Sequence, residues 1–425
     1  MDPELASPPP VPTAPTPRPP SYRRALAHRP FFLLWASQLV SQSGDFVFEV
    51  ALLWLTLETT GSVFAVGLVV TATLVPAVLL GPFLGVYVDR WPRRTLLLLT
   101  NLLEGGLVAA LSGLVLAHAT GLVVILGIVA ALGAGAQVVR IASNALVPQT
   151  VSTDDLTPAN GLLSFSGSFN QVVGLSVGGV VVAVFGVALP IEYDAVSFFL
   201  AALLVALIPQ AIGRPDPPEG DRQGRFRAQF IEGFAFVRAQ RFLVEIIILG
   251  LIVNFFSNAV GALIAPFAAL VLHGGAATYG TLGALLALGA ILGAYLAGKV
   301  DARRHAGRYL FGGAMATGAV IVALGLTTEV VVALAEMFAL GVVLSLTNVP
   351  MLSVVQAKVP GRLMGRVMAV LFSLVVASGP LGAYFAGSFA AASSVSNVFL
   401  LSGVVILVCD VVAVVVMTEL RNVKY

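Results

Sequence analysis

Apolar residues along this chain fall in long blocks separated by short polar connections. With Gly, Pro and charged residues taken as breaks, its 425 residues divide into twelve apolar stretches. Six fall at about 31–57, 62–88, 95–117, 121–147, 159–184 and 188–211. Six more fall at about 242–271, 276–300, 308–327, 329–352, 363–390 and 396–419. A helix needs roughly 20 apolar residues to cross the hydrocarbon of a bilayer, and each stretch is about that long or longer. The runs are rich in Leu, Val, Ala and Gly and lack the alternation of a membrane barrel. The predicted fold class is an all-α membrane protein of twelve transmembrane helices in two pseudo-symmetric six-helix bundles.

Composition agrees and excludes other classes. The chain is 58% hydrophobic and only 10% charged, whereas a soluble domain carries about 25% charged residues. Its net charge of +2 excludes a polybasic nucleic-acid binder, so no nucleic acid is expected as a partner. The one cysteine, Cys409, lies in an apolar run and supports neither a disulfide framework nor a cysteine-rich metal site. His28, His118, His273 and His305 all fall at span ends or connections, and no Ser/His/Asp or His-x-x-x-His arrangement appears. An enzyme is therefore not expected, and neither is a metal or cofactor. Gly293-Ala-Tyr-Leu-Ala-Gly298-Lys299 matches most of a phosphate-binding loop. Val300 replaces its Ser/Thr and the segment ends an apolar span, so ATP drive is rejected.

Twenty-two of the 23 cations lie on the N-terminal segment, the tail and alternate connections. By the positive-inside rule both termini are expected in the cytoplasm. Residues 1–30 read as a Pro-rich tail, disordered over its first part, 31–211 as one bundle and 212–241 as a cytoplasmic linker. Residues 242–420 read as the second bundle and 421–425 as a tail. In the linker, Phe226, Phe230, Phe234 and Val237 recur at helical spacing among charges, an amphipathic connector on the inner leaflet. The two halves repeat at an offset of 212: Asp89 matches Asp301, Gly81 matches Gly293, and Asp45 falls opposite Ser257. Parallel six-helix repeats are a transporter architecture with the substrate site between the halves. Gly81-x-x-x-Gly85 and Gly289-x-x-x-Gly293 allow close helix contact, structural first and rocking surfaces second.

Ionisable side chains at membrane depth are functional candidates by default. Asp45 and Glu49, at i and i+4, share one face of span 1 as candidate proton carriers, or one of them pairs with Arg140. Arg140, the exceptional cation, forms a polar stripe with Gln137 and Asn144 on span 4. Asp45, Glu49 and Glu104 are its near acids. Glu104 in span 3 and Asp410 in span 12 are deep, with packing and transport roles both open. Glu336 in span 10 is a cavity candidate. Asp194 and Glu192 are expected simply to sit at the interface, where span 6 opens.

Gly85-Val-Tyr-Val-Asp89-Arg90-Trp-Pro92-Arg93-Arg94 resembles the Gly-x-x-x-Asp-Arg-x-Gly-Arg-Arg loop of the major facilitator superfamily, with Pro92 in place of the usual glycine. Ser41-Gln-Ser-Gly44-Asp45 is similar to the drug-efflux branch that includes macrolide-efflux proteins and the enterobactin exporter. So are Leu146-Val-Pro148, Asp155-Leu-Thr-Pro-Ala-Asn160 and Val359-Pro-Gly-Arg-Leu-Met-Gly365-Arg366. The likeness runs from about 30 to 415. It implies a major facilitator fold and a cytoplasmic gate built from Gly85, Asp89, Arg90, Arg93, Arg94, Asp301, Arg362 and Arg366. It also implies a proton-relay role for Arg140, against a static ion pair. Spans 1, 4, 5, 7, 8, 10 and 11 of that fold face the cavity and offer Gln38, Gln42, Phe46, Asn170, Gln171, Asn254, Ser257, Asn258, Asn348 and Phe372. The glycine-proline antiporter pattern of span 5 reads Gly174-Leu-Ser-Val-Gly178-Gly179 here, with Leu175 at the proline, so symport and uniport stay open.

A mostly apolar cavity with few polar groups suits a large amphiphilic cargo. The expected function is proton-coupled efflux of hydrophobic or amphiphilic small molecules by alternating access. The partners are then the substrate, protons and the lipid bilayer of a prokaryotic inner membrane, with the chain acting as a monomer. A lipid or lysolipid translocator is the alternative, and a non-transporting receptor a further one.

Overall fold

The computed structural model describes residues 21–88, 90–213, 222–299 and 306–421. Its twelve long helices are α1 (Arg29–Thr60), α2 (Val63–Val88), α3 (Arg93–Leu116), α4 (Leu122–Thr150), α5 (Leu156–Phe185), α6 (Ala188–Ala206), α7 (Arg241–Ala262), α8 (Ala276–Ala297), α9 (Ala306–Leu326), α10 (Val330–Lys358), α11 (Gly361–Ala392) and α12 (Val395–Val416). In lipid, every backbone polar group must be bonded inside its own segment, so an apolar run of this length becomes a helix. Eleven of these helices are long and apolar enough to span a bilayer. The one below that threshold is α1, which Gln38, Gln42, Asp45 and Glu49 interrupt. The protein is a multi-pass integral membrane protein.

Prolines shift some of the predicted boundaries. Pro350 lies inside α10, which runs on to Lys358, past the break expected near 352. Pro148 and Pro380 are likewise inside α4 and α11. Pro266, which lacks an N–H, marks an interruption: α7 stops at Ala262 and continues as a short turn, Ile264–Pro266, and a π-helical segment, Phe267–Val271.

The two halves pack by one plan. In the first, α1 packs on α5 and α6, α3 on α4 and α6, and α2 on α4. In the second, α7 packs on α11 and α12, α9 on α10 and α12, and α8 on α10, the same scheme six helices later. Two main pairs join the halves, α2 with α11 and α5 with α8. Both are glycine seams. A Cβ on Gly67 would stand 2.7 Å from the Gly387 Cα, and one on Gly179 would stand 2.8 Å from the Ala276 carbonyl and 3.1 Å from the Gly280 Cα. These glycines lie near the ends of their helices away from the two termini. Towards the terminal side the halves part: Gly81 and Gly365 face open space, and Leu79 and Phe372 are exposed.

Each terminus is tied down on that side. Asp155 accepts hydrogen bonds from Arg24 Nε at 2.7 and 3.0 Å and from Ser152 Oγ at 2.9 Å, with His28 Nε2 at 3.2 Å. Glu245 accepts from the Leu420 N–H at 2.7 Å. The linker helix Arg222–Ala239 lies on α11, where Glu232 pairs with Arg366.

The seams give the first prediction. Gly67→Val and Gly179→Val each force a helix pair apart and should lower stability by about 1–3 kcal/mol. Gly312→Ala, at a helical glycine with nothing within 4 Å, should leave it unchanged or raise it by up to about 1 kcal/mol. Thermal melting of the detergent-solubilised protein reads both; equal loss in all three variants would contradict close packing at the seams.

Candidate transport site

A cavity of about 590 Å³ opens inside the first bundle, between α1, α2, α3, α4 and α6. Helix α1 supplies Gln38, Gln42, Asp45 and Glu49, spaced so that all four share one face. Helix α3 adds Asn101 and Glu104 at i and i+3, and α6 adds Asp194 and Phe198 at i and i+4. From α4 come Ala136, Arg140, Ser143 and Asn144. Glycines set the spacing of these walls. Gly133 of α4 packs against the Thr73 backbone, and a Cβ on Gly135 would stand 2.9 Å from the Glu104 Cδ.

The polar side chains are held in place locally. Gln38 Nε2 donates to Ser143 Oγ at 3.0 Å, bracing α1 on α4, and Gln42 Nε2 donates to Gln38 Oε1 at 3.3 Å. Asn101 Nδ2 bonds back to the Leu97 carbonyl at 2.6 Å. Arg140 Nε donates to Gln137 Oε1, one turn away, at 3.0 Å. Arg140 is exposed to the cavity and, among the described residues, forms no ion pair with an acid. The acid partner expected for a buried guanidinium is not needed, because the open cavity leaves the head group room for water. Asp45 and Glu49 are likewise open to the cavity, whereas Glu104 and Asp194 are buried, at 3% and 0% exposure. Four carboxylates thus face one space with a single cation.

Other candidates lie elsewhere. Asn170 Nδ2 donates to the Leu39 carbonyl at 2.8 Å in the α1–α5 contact, where Phe46 packs against Gly174. Gln171, Asn348 and Phe372 are exposed. In the second bundle, Ser378 Oγ and Asn258 Nδ2 both donate to Asn254 Oδ1, at 2.9 and 3.0 Å, and the buried Ser257 Oγ has no partner among the described residues. Glu336 accepts from Thr327 Oγ1 at 3.0 Å, at the end of α9 away from the termini. Asp410 is fully buried on α12, and neither of its oxygens is hydrogen-bonded among the described residues.

Of the gate residues, Arg94 caps α6, donating from Nε to the Ile208 carbonyl at 2.7 Å and from Nη2 to the Ala206 carbonyl at 2.6 Å. The Arg93 N–H donates to the Gly213 carbonyl at 2.8 Å, and its side chain is buried. Arg90 and Arg362 are exposed, Arg366 pairs with Glu232, and Gly85 falls within α2. Asp89 and Asp301 lie outside the described residues.

Sequence reasoning missed Asp194, Asn101 and Ser143. Asp194 was expected at the interface, yet it is buried in the second turn of α6. A signal was present, since Asp194 shares a helical face with the buried Phe198, Ala201, Ala202 and Val205.

Twelve helices in two equivalent bundles, joined by two glycine seams and parted on one side, define a transporter of the major facilitator superfamily. The chain belongs to the transmembrane secretion effector family, whose model matches residues 22–425. It is 24% identical over 407 residues to macrolide efflux protein A of Streptococcus pyogenes, covering 92% of this chain and 96% of that one. It is 26% identical over 403 residues to the multidrug efflux pump Tap of Mycobacterium tuberculosis, covering 91% and 93%. Among solved structures, its fold is similar to a bacterial homolog of the human lysosomal transporter Spinster, inward-facing and occupied. The TM-score is 0.72 at 16% identity, over 92% of this chain and 97% of that one. It is also similar to a D-xylose-proton symporter, with a TM-score of 0.66 at 15% identity, over 93% and 99%.

Because Arg140 bonds only within its own turn, Arg140→Ala should change stability by no more than about 0.5 kcal/mol. It also removes the one cation among the described residues that line the cavity. A unit charge about 8 Å away contributes about 2 kcal/mol at an effective dielectric near 20, so tetraphenylphosphonium should bind up to about thirtyfold more tightly. Titration of the two proteins at low salt checks this, and equal affinities would place Arg140 outside the field of the binding cavity.

Proposed function

We propose that the protein exports hydrophobic or amphiphilic small molecules, driven by protons entering across a bacterial inner membrane. The observation that carries this reading is the cavity of the first bundle, where Asp45, Glu49, Glu104 and Asp194 face one cation. At membrane depth such an excess of acids is costly unless protons or a cationic cargo answer it. Relatives named as macrolide and multidrug efflux proteins support the direction and the cargo class.

The arginine-rich connections share the side of the two termini, which the positive-inside rule assigns to the cytoplasm. The parted side is then the cytoplasmic one. Cargo enters there, the halves rock about the midplane, and Asp45 and Glu49 take up protons from outside to reset the cycle. The driving force is about 2.3 kcal/mol per charge per 100 mV of membrane potential, with about 1.4 kcal/mol more per pH unit. A lipid translocator or a receptor of the same fold leaves the four acids without a task.

Proteoliposomes with an imposed pH gradient, an internal pH dye and a fluorescent cationic drug test the proposal. Drug movement should run against proton movement in the wild type and should fall at least tenfold in Asp45→Asn. Movement of drug without any proton flux would exclude coupling and favour the facilitator or lipid reading.

A further inference from the structure

Asp194 differs from the other acids of the cavity. Its Oδ1 packs against the α-carbon of Gly44 and lies 3.3 Å from Ser197 Oγ, whose hydroxyl also reaches the Asp194 carbonyl at 2.8 Å; Oδ2 has no partner among the described residues, and the residue is wholly buried. It nevertheless lines the cavity. The acids that face this region come from α1 and α3, while α2 lines it with Val70, Thr73 and Leu74. From α1 come Asp45 and Glu49, and from α3 Glu104, with Glu192 and Tyr193 adjacent on α6 itself. Tyr193 is engaged with Ser43 at 2.8 Å. Only α4 presents a cation, Arg140, and its guanidinium bonds to Gln137. Among the described residues no three acids, His or Cys converge as the ligands of one metal ion would. A carboxylate with an orphaned oxygen, wholly buried beside three other acids, is stabilised neither by a cation nor by a full set of donors.

We propose that Asp194 is a second proton-carrying residue of the transport cycle, exchanging its proton with the cavity in addition to the proton exchanged at Asp45. This inference rests on the proton-coupled reading above. In the exchange step the O–H bond of the Asp194 carboxyl breaks and its electron pair stays on the oxygen. The proton passes to cavity water and leaves on the terminal side, and the positive charge of a cationic cargo in the cavity balances the carboxylate left behind. On reset a proton entering from the opposite side restores the O–H bond. Gly44 makes the position specific: a Cβ there would overlap Asp194 and Ser197, so the close contact of α1 with α6 keeps the carboxyl beside Asp45.

The test uses the full chain in detergent, with tetraphenylphosphonium as probe and two readouts. Proton release per bound cation is followed in weak buffer, and the infrared bands of protonated carboxyl groups are compared before and after binding. Asp194→Asn should release one proton fewer than the wild type and lose one carboxyl band, while the band that disappears in Asp45→Asn remains. Ser197→Ala, which keeps the carboxyl and removes its hydroxyl donor, should preserve the proton count and shift the Asp194 band. That variant decides the matter if Asp194→Asn does not fold. Unchanged release and an unchanged spectrum in Asp194→Asn, or an unshifted band in Ser197→Ala, would overturn the assignment while leaving release at Asp45 intact. A wild type that binds the cation and releases no proton at all would instead overturn the proton-coupled reading itself.

Discussion

An acid placed at membrane depth without a cation to answer it is the constraint on which the rest of this molecule depends. Four such acids and one arginine share the first bundle, and an ionisable group there costs several kcal/mol or so unless water, a proton or a counter-charge attends it. The helices are arranged to meet that cost. Gly44 lets α1 approach α6, and Gly133 and Gly135 let α4 approach α2 and α3, closely around the acids. The remaining space stays open, so Asp45, Glu49 and Arg140 reach it directly. An apolar core of the same volume would be more stable, and the cavity is retained at the expense of that packing.

The halves share a packing scheme and differ in chemistry. Where α1 carries Asp45, the equivalent helix α7 carries Ser257, flanked by Asn254 and Asn258, with Ser378 of α11 completing a neutral network. At these equivalent positions the first bundle carries acids and the second neutral hydrogen bonding. The bundles meet at α2–α11 and α5–α8, where backbone lies on backbone at Gly67, Gly387, Gly179 and Gly280. Such seams have few side chains to interlock, which fits the rocking of the two halves proposed above. Asp194, against Gly44 of α1, extends the acid face from α1 to α6.

Most of the architecture was legible because it follows from length and apolarity: a run of about 20 apolar residues in lipid has one stable form. The repeat could be read from two loops at a fixed offset. Local chemistry was harder. With proline counted as a break, span 10 was expected to end near 352, but α10 keeps Pro350 inside it and runs on to Lys358. Gly289 and Gly293 announced close contact without naming the partner, which is α10 of their own bundle and not the opposite half. Arg140 looked like half of an ion pair because sequence cannot show that the space beside it is open. Asp194 looked like an interfacial acid because it stands near a helix start, whereas the packing of α6 on α1 and α3 buries it.

The claim at the centre of this account is that the charge state of the first bundle sets which side of the molecule is open. The most direct measurement is the distance between spin labels at Leu79 on α2 and Phe372 on α11, both exposed where the halves part. It would be made across a pH series in the wild type and in Asp45→Asn. The account predicts a long distance in acid that gives way to a short one as the pH rises, with Asp45→Asn held at the long distance over more of the range. A distance distribution that ignores both pH and the substitution would contradict it.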